Sequence, residues 1–392
     1  MRDVKYGANP LEFPPVEAHR AQVQAYEQAG LDFVAYWDQT CLTIPKALWT
    51  PDLCPAANLF HIDSWLEPWP LLTDAALATE RMELYLAVSD VVRRPPSVLA
   101  QLALTLDQYS KGRFKLGLGA GESKQSIPYG IPRDKPFGRL EETLKLLRLW
   151  FGTNETIDYD GSFWTVKEGG ISTPAYTPGG PKLFVGGGPG KALKFSSTLA
   201  DGWFTYFPAE TVEAYAEEVQ QFYANAREVG RDPEPMMRMF CGRCVIGETE
   251  EHVEEMLRSP ILRFETAALV PGGETWRRHG HTNPIGDDYS YPRDLRPMSW
   301  TREEALAVAE QVPVEMVRNL NICGTPEQVA DQLQRYVEAG ANHIIAADYG
   351  GLVTVGDMDD AAQVARRLHE TYDHMRRLNG QPTKLAASSA AG

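Results

Sequence analysis

Apolar positions in this chain follow two periods that alternate from one end to the other. Short runs rich in β-branched and aromatic residues, the pattern of buried strands, fall at 4–9, 33–38, 83–90, 114–122, 182–188, 202–206, 237–246 and 343–349. Between them lie amphipathic stretches of helical period at 16–29, 97–110, 137–151, 190–200, 211–229 and 325–339. In the first of these, Val16, Val23, Tyr26 and Ala29 share roughly one face, and Gly30 stands where a left-handed C-cap is expected.

Regular alternation of strand and helix means parallel strands joined by crossover helices. Eight such units predict an α/β fold closed as a (β/α)8 TIM barrel. A doubly wound open sheet would need a Gly-rich dinucleotide turn after its first strand, and Gly7-Ala8-Asn9-Pro10 is not one. The expected organisation is one barrel domain over 1–380, with insertions at about 39–80, 152–181 and 247–342, and a flexible tail at 381–392. The second insertion carries a hairpin-like stretch at 157–164. Insertions beside the C-terminal ends of barrel strands are where such folds build their sites.

Composition narrows the class. Of 392 residues 43% are hydrophobic and 23% charged, which is ordinary globular usage. The net charge of −15 argues against nucleic acid or an anionic membrane as a partner. No apolar run is long enough for a membrane span, and the first residues lack the pattern of a secretory signal, so a cytoplasmic protein is expected. Five cysteines, an odd number, do not make a disulfide scaffold. Cys241-Gly-Arg-Cys244 has redox or zinc spacing but sits in a run that reads as a buried strand, so no metal is expected.

Candidate chemistry gathers at the strand ends: Asp38 after the second, Ser89 and Asp90 at the third, Glu122 after the fourth. In a barrel these ends share one mouth. Gly186-Gly187-Gly188-Pro189-Gly190 ends the fifth strand and opens a helix, a turn that offers backbone N–H groups to a phosphate. Trp37, Trp65, Trp69, Trp203 and Trp276 fall near strand ends or in insertions and could wall a flat cofactor and an apolar substrate or simply pack the rim.

Several of these residues carry a family resemblance. Tyr36-Trp37-Asp38, Arg93-Arg94-Pro95-Pro96, Gly117-Leu118-Gly119-Ala120-Gly121-Glu122, Val185-Gly186-Gly187-Gly188-Pro189 through Ala200-Asp201-Gly202-Trp203, and Gly324-Thr325-Pro326-Glu327 resemble, in that order, the luciferase-like flavin and deazaflavin oxidoreductases. The blocks at 62–69 and 270–280 are most similar to the phthiodiolone ketoreductase group, which uses coenzyme F420. The resemblance implies hydride transfer between the deazaflavin C5 and a carbonyl or similarly polarised double bond of a small or lipid-like substrate, in a homodimer. An FMN-dependent monooxygenase and a non-catalytic deazaflavin- or flavin-binding protein are the alternatives.

Carried over residue by residue, the resemblance assigns Asp38 and Glu122 as catalytic acids beside the ring. Ala87, Val88 and Ser89 become the ring support, with a cis peptide expected at Ala87–Val88. Gly187 and Gly188, with Pro189 and Gly190 beside them, become the phosphate turn. Apart from the resemblance, Trp37, Gln39, Trp69, Trp276 and His279 are candidate substrate contacts from their placement at a strand end or in an insertion. Several members place His after the strand-two Asp. Here the residue is Gln39, which removes that proton donor and makes Glu122 the first choice, because burial beside an apolar ring would keep it partly protonated.

Overall fold

The computed structural model describes residues 3–206, 211–270 and 273–383. Its strands are β1 (Lys5–Ala8), β2 (Phe33–Tyr36), β3 (Glu83–Asp90), β4 (Phe114–Gly119), β5 (Ile157–Asp160), β6 (Thr165–Gly169), β7 (Lys182–Gly186), β8 (Gly202–Tyr206), β9 (Met237–Ile246), β10 (Ile322–Gly324) and β11 (His343–Asp348). The strands β1, β2, β3, β4, β7, β8, β9 and β11 pair in that order, all parallel, and β11 returns to β1. This closes the eight-stranded (β/α)8 barrel that the alternating pattern predicts. The ladders stop one to three residues short of several expected ends, because the chain peels away there into the mouth loops.

Strand periodicity sets the layers. Alternate residues of each strand point inward, and Phe33, Tyr85, Phe184, Met239 and Ile345 fill the barrel; the other set, with Val34, Leu84, Leu116 and Ile344, packs under the helices. Cys241 and Cys244 fall on opposite faces of β9, buried and free, as the strand reading requires. The helix Val16–Gln28 ends with Gly30 at φ 78°, the left-handed turn expected there.

The insertions hold more structure than their sequence suggests. Residues 39–80 contain the helix Pro68–Ala78, which crosses from β2 to β3. Residues 152–181 contain the β5–β6 antiparallel hairpin. Residues 247–342 fold into a run of short helices, of which Pro260–Leu269 and Arg302–Gln311 are the longest before β10, and β10 pairs with the far end of β9. Before β10 no stretch is long enough to fill a periodicity window, so that part of the sequence reads as a loop, whereas the expected helix at 325–339 is present as Pro326–Glu338. The long helix Met358–Leu378, also absent from the sequence reading, closes the barrel over β11. Most of the expected tail, 384–392, lies outside the described residues. Among the described residues no helix is long and apolar enough to cross a membrane.

The closed end of the barrel carries a polar plug. Glu83 accepts from Lys5 Nζ at 2.8 Å and from the Tyr85 hydroxyl at 2.5 Å, and Lys115 Nζ lies 2.9 Å from its other oxygen. Burial works against the charged carboxylate, but Lys115, Lys5 and Tyr85 outweigh it and bring its pKa down to about 2. Beside it His343 is held neutral, its pKa lowered to about 3 by burial first and then by the Lys5 charge. Both folded values lie below the unfolded ones, so both contributions are complete above the unfolded values and fade as pH falls, His343 from about 6.5 and Glu83 from about 4.5. The part of the melting temperature that these two groups carry should therefore be flat from pH 8 to 7 and decline below about pH 6. The variant His343→Gln should lose the upper part of that slope; an unchanged slope would contradict the assignment.

Candidate active site

The C-terminal mouth of the barrel opens into a cavity of about 500 Å³, a size that suits a cofactor and part of a substrate. One wall is a charged cluster built on Asp38, which is only 4% exposed. Its Oδ1 accepts from Arg93 Nη2 at 2.8 Å, while its Oδ2 accepts from Ser89 Oγ at 2.6 Å and from Arg94 Nη1. Arg93 also pairs with Asp90 and Arg94 with Glu67. Both oxygens of Asp38 are thus engaged by donors, which makes it a fixed acceptor that sets the shape of the wall rather than a free acid.

The floor comes from β3. Register slips between Leu86 and Ser89, and the Ala87–Val88 peptide is cis, at the expected position. Ala87 and Val88 line the cavity, with the Val88 side chain between two glycines of the neighbouring strands. A Cβ on Gly119 would stand 2.8 Å from Val88 Cγ2, and one on Gly186 would stand 2.9 Å from Val88 Cγ1. Any side chain at either position must displace Val88, so glycine there preserves a flat apolar floor. Opposite, Gly186, Gly187, Gly188 and Pro189 line the cavity, and the helix Lys191–Thr198 begins just beyond with its first-turn N–H groups facing out of the helix end.

Glu122 lines the cavity where β4 ends, but its setting differs from the expected apolar one. Lys124, a lysine with 1% side-chain exposure, places Nζ 3.3 Å from Glu122 Oε2, 2.9 Å from Gln39 Oε1 and 3.2 Å from the Cys41 carbonyl. Gln125 reaches the same loop, donating to the Asp38 carbonyl and accepting from Thr40. The four-residue helix Ser123–Ser126 is therefore stitched to residues 38–41, and Gln39 and Glu122 share one buried ammonium.

The remaining sides are aromatic. Trp37 lies edge-on to Tyr206 with centroids 6.1 Å apart and stacks on Trp65. Glu12, 2% exposed, braces both tryptophans: Oε1 accepts from the Trp37 backbone N–H at 2.7 Å and Oε2 from the Trp65 indole Nε1 at 3.3 Å. Burial, only partly offset by these bonds, pushes its pKa well above the usual carboxylate range. Leu269, Tyr289 and Tyr291 of the third insertion, with Phe137, close the outer side.

The structure brings Trp37, Asp38, Gln39, Ala87, Val88, Glu122, Gly187, Gly188 and Pro189 to the cavity, and puts Ser89 directly behind Asp38. It does not bring the other candidates there. Trp69 packs outside the barrel on Phe114, because it lies in the crossover helix rather than in a mouth loop. Trp276 is fully buried in the core of the third insertion, and His279 caps a five-residue helix in solvent. Gly190 is the exposed N-cap of its helix, and Trp203 stacks on Tyr215 behind β8. Sequence reading missed Tyr206 and Tyr349, although both stand at C-terminal strand ends, the one signal that could have found them. It also missed Lys124, Tyr289 and Tyr291, for which no periodic signal exists. Among the described residues no group of three His, Cys, Asp or Glu side chains is placed to hold a metal ion.

Fold and site together define a parallel-barrel enzyme with a cofactor-sized cavity at its C-terminal mouth. The chain belongs to the luciferase-like monooxygenase family, whose model matches residues 2–343, and it is an oxidoreductase of that family. It is 30% identical over 346 residues to the phthiodiolone/phenolphthiodiolone dimycocerosates ketoreductase of Mycobacterium tuberculosis, covering 87% of this chain and 89% of that one. It is 25% identical to the F420-dependent glucose-6-phosphate dehydrogenase of Rhodococcus erythropolis, over 87% and 90% of the two chains. Among solved structures it is similar to an F420-dependent secondary alcohol dehydrogenase in complex with an F420-acetone adduct. The TM-score there is 0.68 at 20% identity, covering 89% of this chain and 94% of the other.

Proposed function

We propose that this protein is a coenzyme F420-dependent reductase of a ketone or similarly polarised double bond on a lipid-like substrate. The observation that carries the reading is the cavity itself: a flat Val88 floor kept open by Gly119 and Gly186, between a glycine-rich helix entrance and the Asp38 wall. That arrangement fits a flat ring with a phosphate-bearing tail. When bound, the deazaflavin supplies hydride from C5; the protein supplies orientation, electrostatics and exclusion of water. The Asp38, Arg93 and Arg94 cluster fixes one edge, Gly187 and Gly188 take the phosphate, and Gln39 and Glu122, held by Lys124, border the reacting face. The ketoreductase and F420-dependent relatives support this choice of cofactor and substrate class. The aromatic and aliphatic sides suit an apolar substrate body.

Titration with coenzyme F420, and separately with FMN, following quenching of tryptophan emission, tests the cofactor. Trp37 reports binding at the mouth. Micromolar saturation by F420 with little response to FMN is expected, and the reverse preference would move the protein to the monooxygenase reading. Gly119→Ala, which pushes a methyl group against Val88, should weaken F420 at least about tenfold, or about 1.4 kcal/mol, while the far-ultraviolet circular dichroism stays unchanged. We also propose a homodimer in solution; light scattering that shows a monomer at micromolar concentration would refute it.

A further inference from the structure

We propose that Tyr206 and Tyr349 form the subsite that binds the substrate's carbonyl oxygen and delivers the proton to it. Tyr206 ends β8 and Tyr349 follows β11, and strand alternation turns both inward, so two segments 143 residues apart place their hydroxyls 2.7 Å from each other on the cavity lining. Each hydroxyl carries one hydrogen. One, on Tyr206, joins the two oxygens, and among the described residues the other meets no protein acceptor, so it is available to a ligand.

Behind the pair stands a charge that the rest of the site does not use. The Arg243 guanidinium, 1% exposed, lies 4.2 Å from the centre of the Tyr349 ring and faces Tyr206. It donates to Glu265 at 3.0 Å, and Glu265 in turn accepts from Thr43, another cavity residue, at 2.5 Å. Among the described residues, Arg243 Nε and Nη1 have no hydrogen-bond acceptor. Burial first of all raises the pKa of both tyrosines, so they enter the reaction as phenols.

A donor pair with a fixed cation behind it is suited to an oxygen that gains negative charge during reaction, because such donors are stronger toward the alkoxide than toward the ketone. This inference rests on the proposed ketone reduction. A bound reduced deazaflavin would supply the hydride of the new C–H bond, and the carbonyl π electrons would move to oxygen. The O–H bond of one tyrosine breaks, and its proton makes the product hydroxyl. The second hydroxyl returns a proton to the first across 2.7 Å, and water restores the pair. The two electrons that reduce the ketone would come with that hydride, and the proton from the tyrosine.

The test uses reduced coenzyme F420 and 2-decanone with the full chain, Tyr349→Phe and Tyr206→Phe. Three quantities are measured: kcat, F420 affinity by tryptophan quenching, and the infrared C=O stretch of bound carbonyl-labelled 2-decanone. The expected result is a fall in kcat of at least about tenfold in each variant, within the range that general acid catalysis supplies. F420 affinity should stay within about threefold, and the C=O stretch should lie at higher frequency than in the wild type. Because F420 affinity reports folding of the mouth, a kcat loss with affinity kept is not a folding defect. Reduction that is indifferent to both tyrosines, with an unmoved stretch, overturns the subsite and leaves the proposed function standing. A wild type that binds F420 but neither binds nor reduces 2-decanone overturns both.

Discussion

Arg243→Met is expected to lower the unfolding free energy by about 3–5 kcal/mol, the largest single loss at the mouth. The substitution leaves Glu265, itself 0% exposed, without the charge that compensates it and, among the described residues, with Thr43 alone as a side-chain donor. Replacing both partners removes the unpaired charge, so Arg243→Met with Glu265→Leu should recover most of the loss. Denaturant unfolding of the two single variants and the double variant measures this directly. A double variant as unstable as the sum of its parts would show that the two side chains act independently, against the geometry.

Lys124→Met should produce the second largest effect, about 2–4 kcal/mol by the same measurement. A charged donor to a buried acceptor is worth more than a neutral one, and Lys124 serves Gln39, the Cys41 carbonyl and Glu122 together. Its loss unpins the loop 38–41 from the short helix Ser123–Ser126, and with it the border of the cavity. Adding Glu122→Gln should relieve part of the cost, because the orphaned carboxylate is then gone. F420 affinity should fall in Lys124→Met more than in Glu122→Gln, since only the first releases Gln39.

Much of the barrel was legible in the chain because its strands obey a strict order of short apolar runs between helical periods. The eight runs are the eight barrel strands, and the hairpin-like stretch at 157–164 covers β5 and the turn, while β6 lies beyond it at 165–169. Strand-end acids were legible for the same reason: Asp38 and Glu122 stand where ladders stop. Partners were not. Whether a carboxyl is free or held depends on residues from other segments, and neither the two arginines on Asp38 nor the lysine on Glu122 follows from position along a strand. Trp69 and Trp276 show the complementary failure. An aromatic residue in a long connection can face the mouth or the core, and only the helix that carries it decides.

Glu12, Tyr206, Tyr289, Tyr291 and Tyr349 complete the same lesson. They come from four separate places in the chain, and the cavity that they line or brace exists only after the barrel closes and the third insertion folds over it. A mouth built this way can be assigned roles from sequence, but its protonation chemistry has to be read from which hydroxyls and carboxyls still lack partners.

The most direct test of the account is anaerobic turnover. Purified protein is mixed with reduced coenzyme F420 and 2-decanone under nitrogen, and the return of the oxidised deazaflavin is followed with the alcohol product. The account predicts ketone-dependent oxidation of the deazaflavin with one alcohol formed per cofactor oxidised and no need for oxygen. Absence of ketone-dependent oxidation, together with oxygen consumption on reduced FMN, would contradict it.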